Sequence, residues 1–253
     1  MNKEMETGEI SRLSEDMEGW TPEEILRWAI GEFAPSIAMS SSFQTQSLPL
    51  LHMTRRILPE IRVFFLDTGY HFWDSLMFRE RLTREWDLNV VNLTRDPTWE
   101  VFRRRFGREL PLVDPNLCCF IHKVQPMQKA LQGVRAWITG IRRDQTSTRA
   151  RAHILEVQVD GLIKVNPLLN WNRTHIAAYA MLYELPEHPL LEKGYASIGC
   201  APCTRPIREG EDERAGRWAG VGKTECGLHT EMFQKKDMDQ GAAEREFLFK
   251  AVL

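Results

Sequence analysis

The chain has 253 residues, with 33 Lys+Arg against 35 Asp+Glu, a formal net charge of -2 and 43% hydrophobic residues. That suffices for a soluble α/β-sized domain with a real core and excludes a disordered chain. No apolar run is long enough to span a bilayer, and the near-neutral balance gives no general pull toward nucleic acid or anionic lipid.

Residues 1–20 are polar and acidic, lack the apolar centre of a signal peptide, and read as a flexible leader on a cytoplasmic protein. Thr21-Pro22-Glu23-Glu24 then supplies an N-cap, a first-turn proline and two acidic residues for a helix to about Phe33. Strand and helix patterns alternate from there. Strands are expected at residues 36–40, 62–66, 89–93 and 136–139, with helices at 46–57, at 73–86 and from about Cys118. This alternation predicts an α/β fold with a parallel-type sheet and helices on both faces. Beyond residue 150, two short apolar runs flank Asp160-Gly161 and read as a hairpin with a primed turn. A helix is expected over 172–185, followed by an irregular region rich in turn signals.

The expected strand ends carry the candidate ligand residues, because open α/β sheets bind ligands beyond the carboxyl ends of their strands. The first ends in Ser40-Ser41-Ser42-Phe43-Gln44, which reads either as a helix cap or as a phosphate-binding loop. The second ends in Leu66-Asp67-Thr68-Gly69, where a capped turn and a ligand contact explain Asp67 equally well. After the fourth come Gly140, Arg142, Arg143, Arg149 and Arg151, either solvated or gripping an anion through their guanidinium groups. The Arg103-Arg104-Arg105 run has no strand end to aim it and reads as a solvated face. No Walker-type loop is present.

Five cysteines fall into two pairs and a singlet: Cys118-Cys119, Cys200-x-x-Cys203 and Cys226. In a reducing compartment such spacing points to metal or redox chemistry before disulfides. Adjacent cysteines suit two irons of one cubane better than one tetrahedral zinc, so the four paired cysteines favour an iron-sulfur cluster. Zinc and unligated core thiols remain the alternatives. Cys226, flanked by glycine and by Lys223, Arg214, Arg217 and His229, is a candidate nucleophile with an acidified thiol.

From about residue 20 to 232 these motifs, in this order, resemble the assimilatory adenylyl-sulfate and phosphoadenylyl-sulfate reductases. The resemblance runs through Ser-Ser-Ser-Phe at 40–43, Leu-Asp-Thr-Gly at 66–69, Cys-Cys at 118–119 and Trp-Ile-Thr-Gly-x-Arg-Arg-Asp-Gln at 137–145. It continues through Ile-Gly-Cys-x-Pro-Cys-Thr at 198–204, Arg-Ala-Gly-Arg-Trp at 214–218 and Glu-Cys-Gly-Leu-His at 225–229. It implies an adenine-nucleotide α-hydrolase-like fold with a mobile C-terminal tail, divided as a leader at 1–20, a nucleotide- and cluster-binding domain at 21–210 and a segment at 211–253 bearing the catalytic cysteine.

The implied reaction converts adenylyl sulfate to sulfite and AMP through a Cys226 S-sulfonate, with thioredoxin as external reductant. The resemblance implies a [4Fe-4S] cluster on Cys118, Cys119, Cys200 and Cys203, and phosphosulfate binding by Lys123, Arg149, Arg214 and Arg217. It places the adenosine on residues 40–44 and Leu66 to Gly69, with Gly140 near the ribose and Arg142 in the same loop, and gives His229 an assisting role. A homo-oligomer is compatible with it; nucleic-acid and membrane partners are not expected. All four paired cysteines favour adenylyl sulfate over its 3'-phosphorylated relative, although only Trp218 stands where the family carries two or more aromatics. The alternatives are a phosphoadenylyl-sulfate or dual-specificity reductase and a non-catalytic zinc-stabilised nucleotide-binding protein. An ATP-pyrophosphatase is disfavoured because the first loop lacks the Ser-Gly-Gly-x-Asp-Ser signature.

Overall fold

The computed structural model describes residues 7–97, 99, 104 and 110–234. Part of the expected leader, most of the Arg103-Arg104-Arg105 run and the end of the C-terminal segment lie outside the described residues. The chain divides into two compact units. The first comprises residues 7–65, 74–91 and 133–189, and the second comprises 66–73, the described part of 92–132, and 190–234.

The first unit is built on a six-stranded sheet of order β3-β2-β1-β4-β6-β5. Its strands are β1 (Ile37–Ser40), β2 (Arg62–Leu66), β3 (Val90–Leu93), β4 (Ala136–Ile138), β5 (Leu155–Val157) and β6 (Ile163–Val165). β1 pairs in parallel with β2 and β4, β4 pairs in parallel with β6, and the β5–β6 pair is antiparallel. Ile37, Ala38 and Met39 of β1 and all three residues of β4 and of β6 are buried in succession. Consecutive burial means that both faces of these central strands are covered.

Helix α1 (Thr7–Asp16) corrects the expected flexible leader. Ile10 and Met17 are buried in the core, Ser14 Oγ accepts the Leu155 N–H of edge strand β5 at 3.0 Å, and Arg143 ties down Glu18 at 2.7 Å. Few apolar residues are needed when an exposed sheet edge supplies the partner. Helix α2 (Pro22–Phe33) begins as expected: Thr21 and Glu24 form a reciprocal capping box and Pro22 stands in the first turn. Helices α3 (Leu48–Ile57), α4 (Trp73–Glu85) and α5 (Arg173–Leu182) add Leu51, Met53, Phe78, Leu82 and Ile176 to the same core. Asp160 and Gly161 adopt φ 64° and 76°, the paired left-handed conformations that a primed hairpin turn requires.

His188 is 2% exposed, lies 3.0 Å from Ser75 Oγ and packs its ring on Phe78. Burial pushes its pKa down to about 4, opposed by the Asp74 charge. The ring is therefore neutral in the folded protein, whereas the unfolded chain takes up a proton near pH 6.5. Its contribution is full above about pH 6.5 and is lost as pH falls toward 4, by at most about 1.4 kcal/mol per pH unit. Urea unfolding of wild type and His188→Gln between pH 7 and 4 should show the variant losing less stability on acidification; parallel curves would contradict this account.

Candidate active site

In the first unit the serine loop after β1 is held from beneath. Ser40 Oγ accepts the indole N–H of Trp137 at 3.0 Å, and Ser41 Oγ accepts the Phe43 N–H at 3.1 Å. Phe43 adopts φ 55° and plugs the core at 1% exposure, edge-on to Phe65. It therefore offers a ligand only its backbone. Ser42 is exposed, and its hydroxyl accepts from Gln44 Nε2 at 3.1 Å. The loop presents small polar groups on a rigid support.

Among the arginines after β4, Arg151 is exposed, as the solvated reading expects, whereas Arg142 and Arg149 are buried. Arg142 is neither solvated nor an open anion grip: at 1% exposure it donates to Asp144 at 2.9 Å and to Gln46 Oε1 at 2.9 Å. A guanidinium this buried needs a paired carboxylate, and Asp144 supplies it two residues away. Arg143 pairs with Glu18, and Arg149, also buried, donates to Gln145. These side chains cross-tie the loop that follows β4 and Gly140. Gly140 leaves ordinary contact room beside Leu50.

The second unit gathers all five cysteines. Asp114 caps the helix Pro115–Cys119 by accepting the N–H groups of Asn116 and Leu117 at 3.1 and 2.9 Å. The helix runs on through a π turn at Phe120–Val124, and such turns re-aim side chains within a continuous helix. Cys118 and Cys119 are buried on the first segment, and Lys123 lies on the π turn. Cys200 and Cys203 flank the short turn Ala201–Cys203, closed by the Cys203 N–H on the Cys200 carbonyl at 2.9 Å.

The Leu66–Gly69 segment belongs to this unit and supports a cysteine. Asp67 accepts the Gly69 N–H at 3.1 Å, Gly69 adopts φ 72°, and Thr68 Oγ1 lies 3.3 Å from Cys200 Sγ. The Ala201 N–H donates to the Tyr70 carbonyl at 2.7 Å, tying the same segment to the cysteine turn. Thr68 is thus oriented by a sulfur, a role that spacing alone did not reveal.

Cys226 is half-buried. A hydrogen bond from the Cys119 thiol is the main influence holding its pKa well below the usual thiol range; Lys123, the Leu228 N–H and Arg217 act the same way against burial. Burial pushes Cys118 and Cys203 upward, reinforced by Cys200. Burial alone would lower Lys123, yet the charges of Cys200, Cys226 and Cys119 outweigh it and raise its pKa. The Cys226 N–H donates to Glu225 Oε1 at 2.8 Å, and that same oxygen lies 3.6 Å from Arg214 Nη2. His229 donates its backbone N–H to the Cys226 carbonyl at 3.0 Å, closing the turn after Cys226. Arg217 donates to the Ile198 carbonyl at 3.2 Å. Glu225 was missed by the sequence reading; its place directly before the candidate nucleophile was the available signal. Among the described residues, no group of three His, Cys, Asp or Glu side chains is arranged to hold a metal ion.

A mostly parallel sheet with polar loops at its strand ends, and a separate unit collecting five thiols and several cations, define a nucleotide-binding-type fold equipped for thiol chemistry. Residues 36–206 match the family described as phosphoadenosine phosphosulfate reductase domain, and the chain belongs to that family. It is 41% identical over 234 residues to an adenosine 5'-phosphosulfate reductase of Streptomyces coelicolor, spanning 90% of this chain and 98% of the relative. It is 38% identical over 230 residues to a phosphoadenosine 5'-phosphosulfate reductase of Gloeobacter violaceus, covering 87% and 93%. Among solved structures, a phosphoadenylyl-sulfate reductase from Candida auris in a phosphate complex superposes with a TM-score of 0.70 at 27% identity, covering 81% of this chain and all of that one. An FMN adenylyltransferase of Candida glabrata shares the fold alone, with a TM-score of 0.57 at 15% identity over 96% of this chain and 85% of that one.

The turn carrying Arg214 and Arg217 depends on Gly216. A Cβ there would come 2.2 Å from the Arg205 carbonyl oxygen, and the Arg205 N–H donates back to the Gly216 carbonyl at 2.9 Å. Gly216→Ala is expected to lower the unfolding free energy by about 1–3 kcal/mol, the usual cost of overpacking. A denaturation midpoint equal to wild type would show that this backbone contact is slack.

Proposed function

We propose that the chain reduces adenylyl sulfate to sulfite and AMP in sulfate assimilation, with Cys226 as the nucleophile and thioredoxin as the electron donor. One observation supports the reading: in the unit that holds all five cysteines, Glu225 Oε1 accepts the Cys226 N–H at 2.8 Å and lies 3.6 Å from Arg214 Nη2, which ties the candidate thiol to a cation. A thiolate approaching an anionic sulfate must have charge compensated at the point of attack, and preorganised cations do so without reorganisation at the moment of reaction.

The Cys226 thiolate attacks the sulfate sulfur and forms an S–S bond, while the bond from that sulfur to the bridging oxygen breaks and AMP leaves with the electron pair. A thiolate of reduced thioredoxin then attacks the Cys226 sulfur and sulfite departs with the electrons of the broken S–S bond. The second thioredoxin thiol resolves the mixed disulfide. Sulfur falls by two oxidation levels and one dithiol becomes a disulfide, so the electrons balance. Lys123, Arg214 and Arg217 are assigned to the phosphosulfate. Ser40, Ser41, Ser42, Gln44, Gly140 and residues 66–69 are assigned to the nucleotide, and Arg149 is assigned to the phosphosulfate. His229 is assigned the orientation of the nucleophile's turn through its backbone N–H.

Cys118, Cys119, Cys200 and Cys203 are assigned to a [4Fe-4S] cluster. The donor set suits it: four thiols of one unit, three of them buried, with mutual charge effects and a lysine beside them. When bound, the cluster supplies fixed charge and a covalent tie between the two cysteine pairs. With Cys119 serving as a ligand, Lys123, Arg217 and the Leu228 N–H would remain to favour the charged form of the Cys226 thiol.

Phosphoadenylyl sulfate is the second reading, favoured by the relative of that name. Against it, Arg142 and Arg143 already carry Asp144 and Glu18 as partners, which lowers the net positive charge that this loop offers an extra phosphate. No helix among the described residues is long and apolar enough to cross a membrane, and a cytoplasmic location accords with a thioredoxin-dependent reaction.

The test is sulfite release from each nucleotide by anaerobically purified protein supplied with thioredoxin and its reducing system. Adenylyl sulfate should be the faster substrate; preference for the phosphorylated analogue would move the assignment to the second reading, and no sulfite from either would refute it. Cys226→Ser should lose activity by about a thousandfold or more while keeping its iron and visible absorption. Cys203→Ser should lose iron, and a full iron complement in that variant would remove Cys203 from the ligand set.

A further inference from the structure

Trp218 is 3% exposed and adopts φ 50°, in the left-handed region. For a bulky residue this conformation is unfavourable and persists only where the surroundings fix it. Here the Trp218 N–H donates to the Cys203 carbonyl and its own carbonyl accepts the Val221 N–H, both at 2.9 Å. The conformation holds the indole among three cations. Arg217 lies 4.4 Å from the ring centroid, Lys223 Nζ 5.7 Å and Arg214 6.0 Å.

Three like charges near one point repel one another, and an aromatic face is the uncharged surface that attracts all of them. The remaining contacts of this group fix where the charges point. Lys223 donates to Asn116 Oδ1 at 2.6 Å, Arg217 donates to the Ile198 carbonyl at 3.2 Å, and Arg214 lies 3.6 Å from the Glu225 carboxylate. The chain also leaves room for the arrangement at Gly199, where a Cβ would stand 2.4 Å from Arg217 Nη2.

We propose that Trp218 is a positioning residue that sets Arg214, Arg217 and Lys223 around its indole and so fixes the cationic grip on the sulfate end of the substrate. The proposal rests on the reading that Arg214 and Arg217 bind the phosphosulfate. It adds Trp218 as the residue that assembles them, Lys223 as a third cation of the group and Gly199 as the gap that admits Arg217. Because the indole acts on cations that meet the sulfate end, its removal should weaken adenylyl sulfate and spare AMP, which lacks that end.

The experiment uses iron-loaded Cys226→Ser protein, which cannot turn over, and measures the affinities of adenylyl sulfate and AMP by calorimetry. Adding Trp218→Leu should lower adenylyl sulfate affinity about tenfold and AMP affinity less than about twofold, in line with loss of a desolvated cation–π surface. Trp218→Phe, with a weaker face in a ring that still packs, should lose about threefold on adenylyl sulfate alone. Equal weakening of both ligands, or an unchanged affinity ratio in the variants, would overturn the proposal; should the leucine variant not fold, an unchanged ratio in the phenylalanine variant does so by itself. If the protein with Trp218 intact binds adenylyl sulfate no better than AMP, the assignment of Arg214 and Arg217 to the phosphosulfate falls, and this proposal falls with it.

Discussion

A thiolate can persist in a half-buried place only where positive charge offsets the loss of water, and in the second unit that compensation runs in both directions. The Cys119 thiol, Lys123 and Arg217 each lower the Cys226 pKa, and under the proposed assignment of Cys119 to a cluster the two cations keep that role; in return the sulfur charges outweigh burial at Lys123. Neither side of the exchange is stable in that setting alone. The local structure follows from this need. Asp114 caps the helix bearing Cys118 and Cys119, the π turn carries Lys123 within the same run, and Glu225 binds the Cys226 backbone beside Arg214.

The first unit solves a different problem. Its central strands are buried on both faces, so their polar chemistry is confined to the loops beyond them. Those loops are stiff because the core reaches into them: Phe43 is a core residue inside the serine loop, Trp137 donates to Ser40, and Arg142 is fastened to Asp144 and Gln46. Such a loop meets a ligand with backbone and hydroxyl groups already in place, which reduces the ordering cost of binding.

Much of the architecture was legible from local chemistry. The Thr21 capping box and the Asp160-Gly161 turn follow from residue type and spacing because each depends on neighbours close in sequence, and the central strands announce themselves as short continuous apolar runs even though their pairing is long-range. What escaped depends on partners far along the chain. Helix α1 looked like a leader because its burial partners, Leu155 and Arg143, lie well over a hundred residues away. Arg142 looked available for an anion because its second partner, Gln46, belongs to the loop before α3. Thr68 also meets Cys200, 132 residues further along the chain, a contact that its spacing did not disclose. In the site itself the cysteine pairs and the lone Cys226 were visible as spacing, whereas the roles of Glu225 and Trp218 required the folded arrangement.

The central claim is that Cys226 takes the sulfonate group from the nucleotide. It is tested most directly by mixing the reduced protein with adenylyl sulfate in the absence of thioredoxin and mapping covalent adducts by peptide mass spectrometry. The account predicts one sulfonate on the peptide containing Cys226, formed together with AMP and released as sulfite when reduced thioredoxin is added. A sulfonate on Cys118, Cys119, Cys200 or Cys203, or AMP formation without any protein adduct, would contradict it.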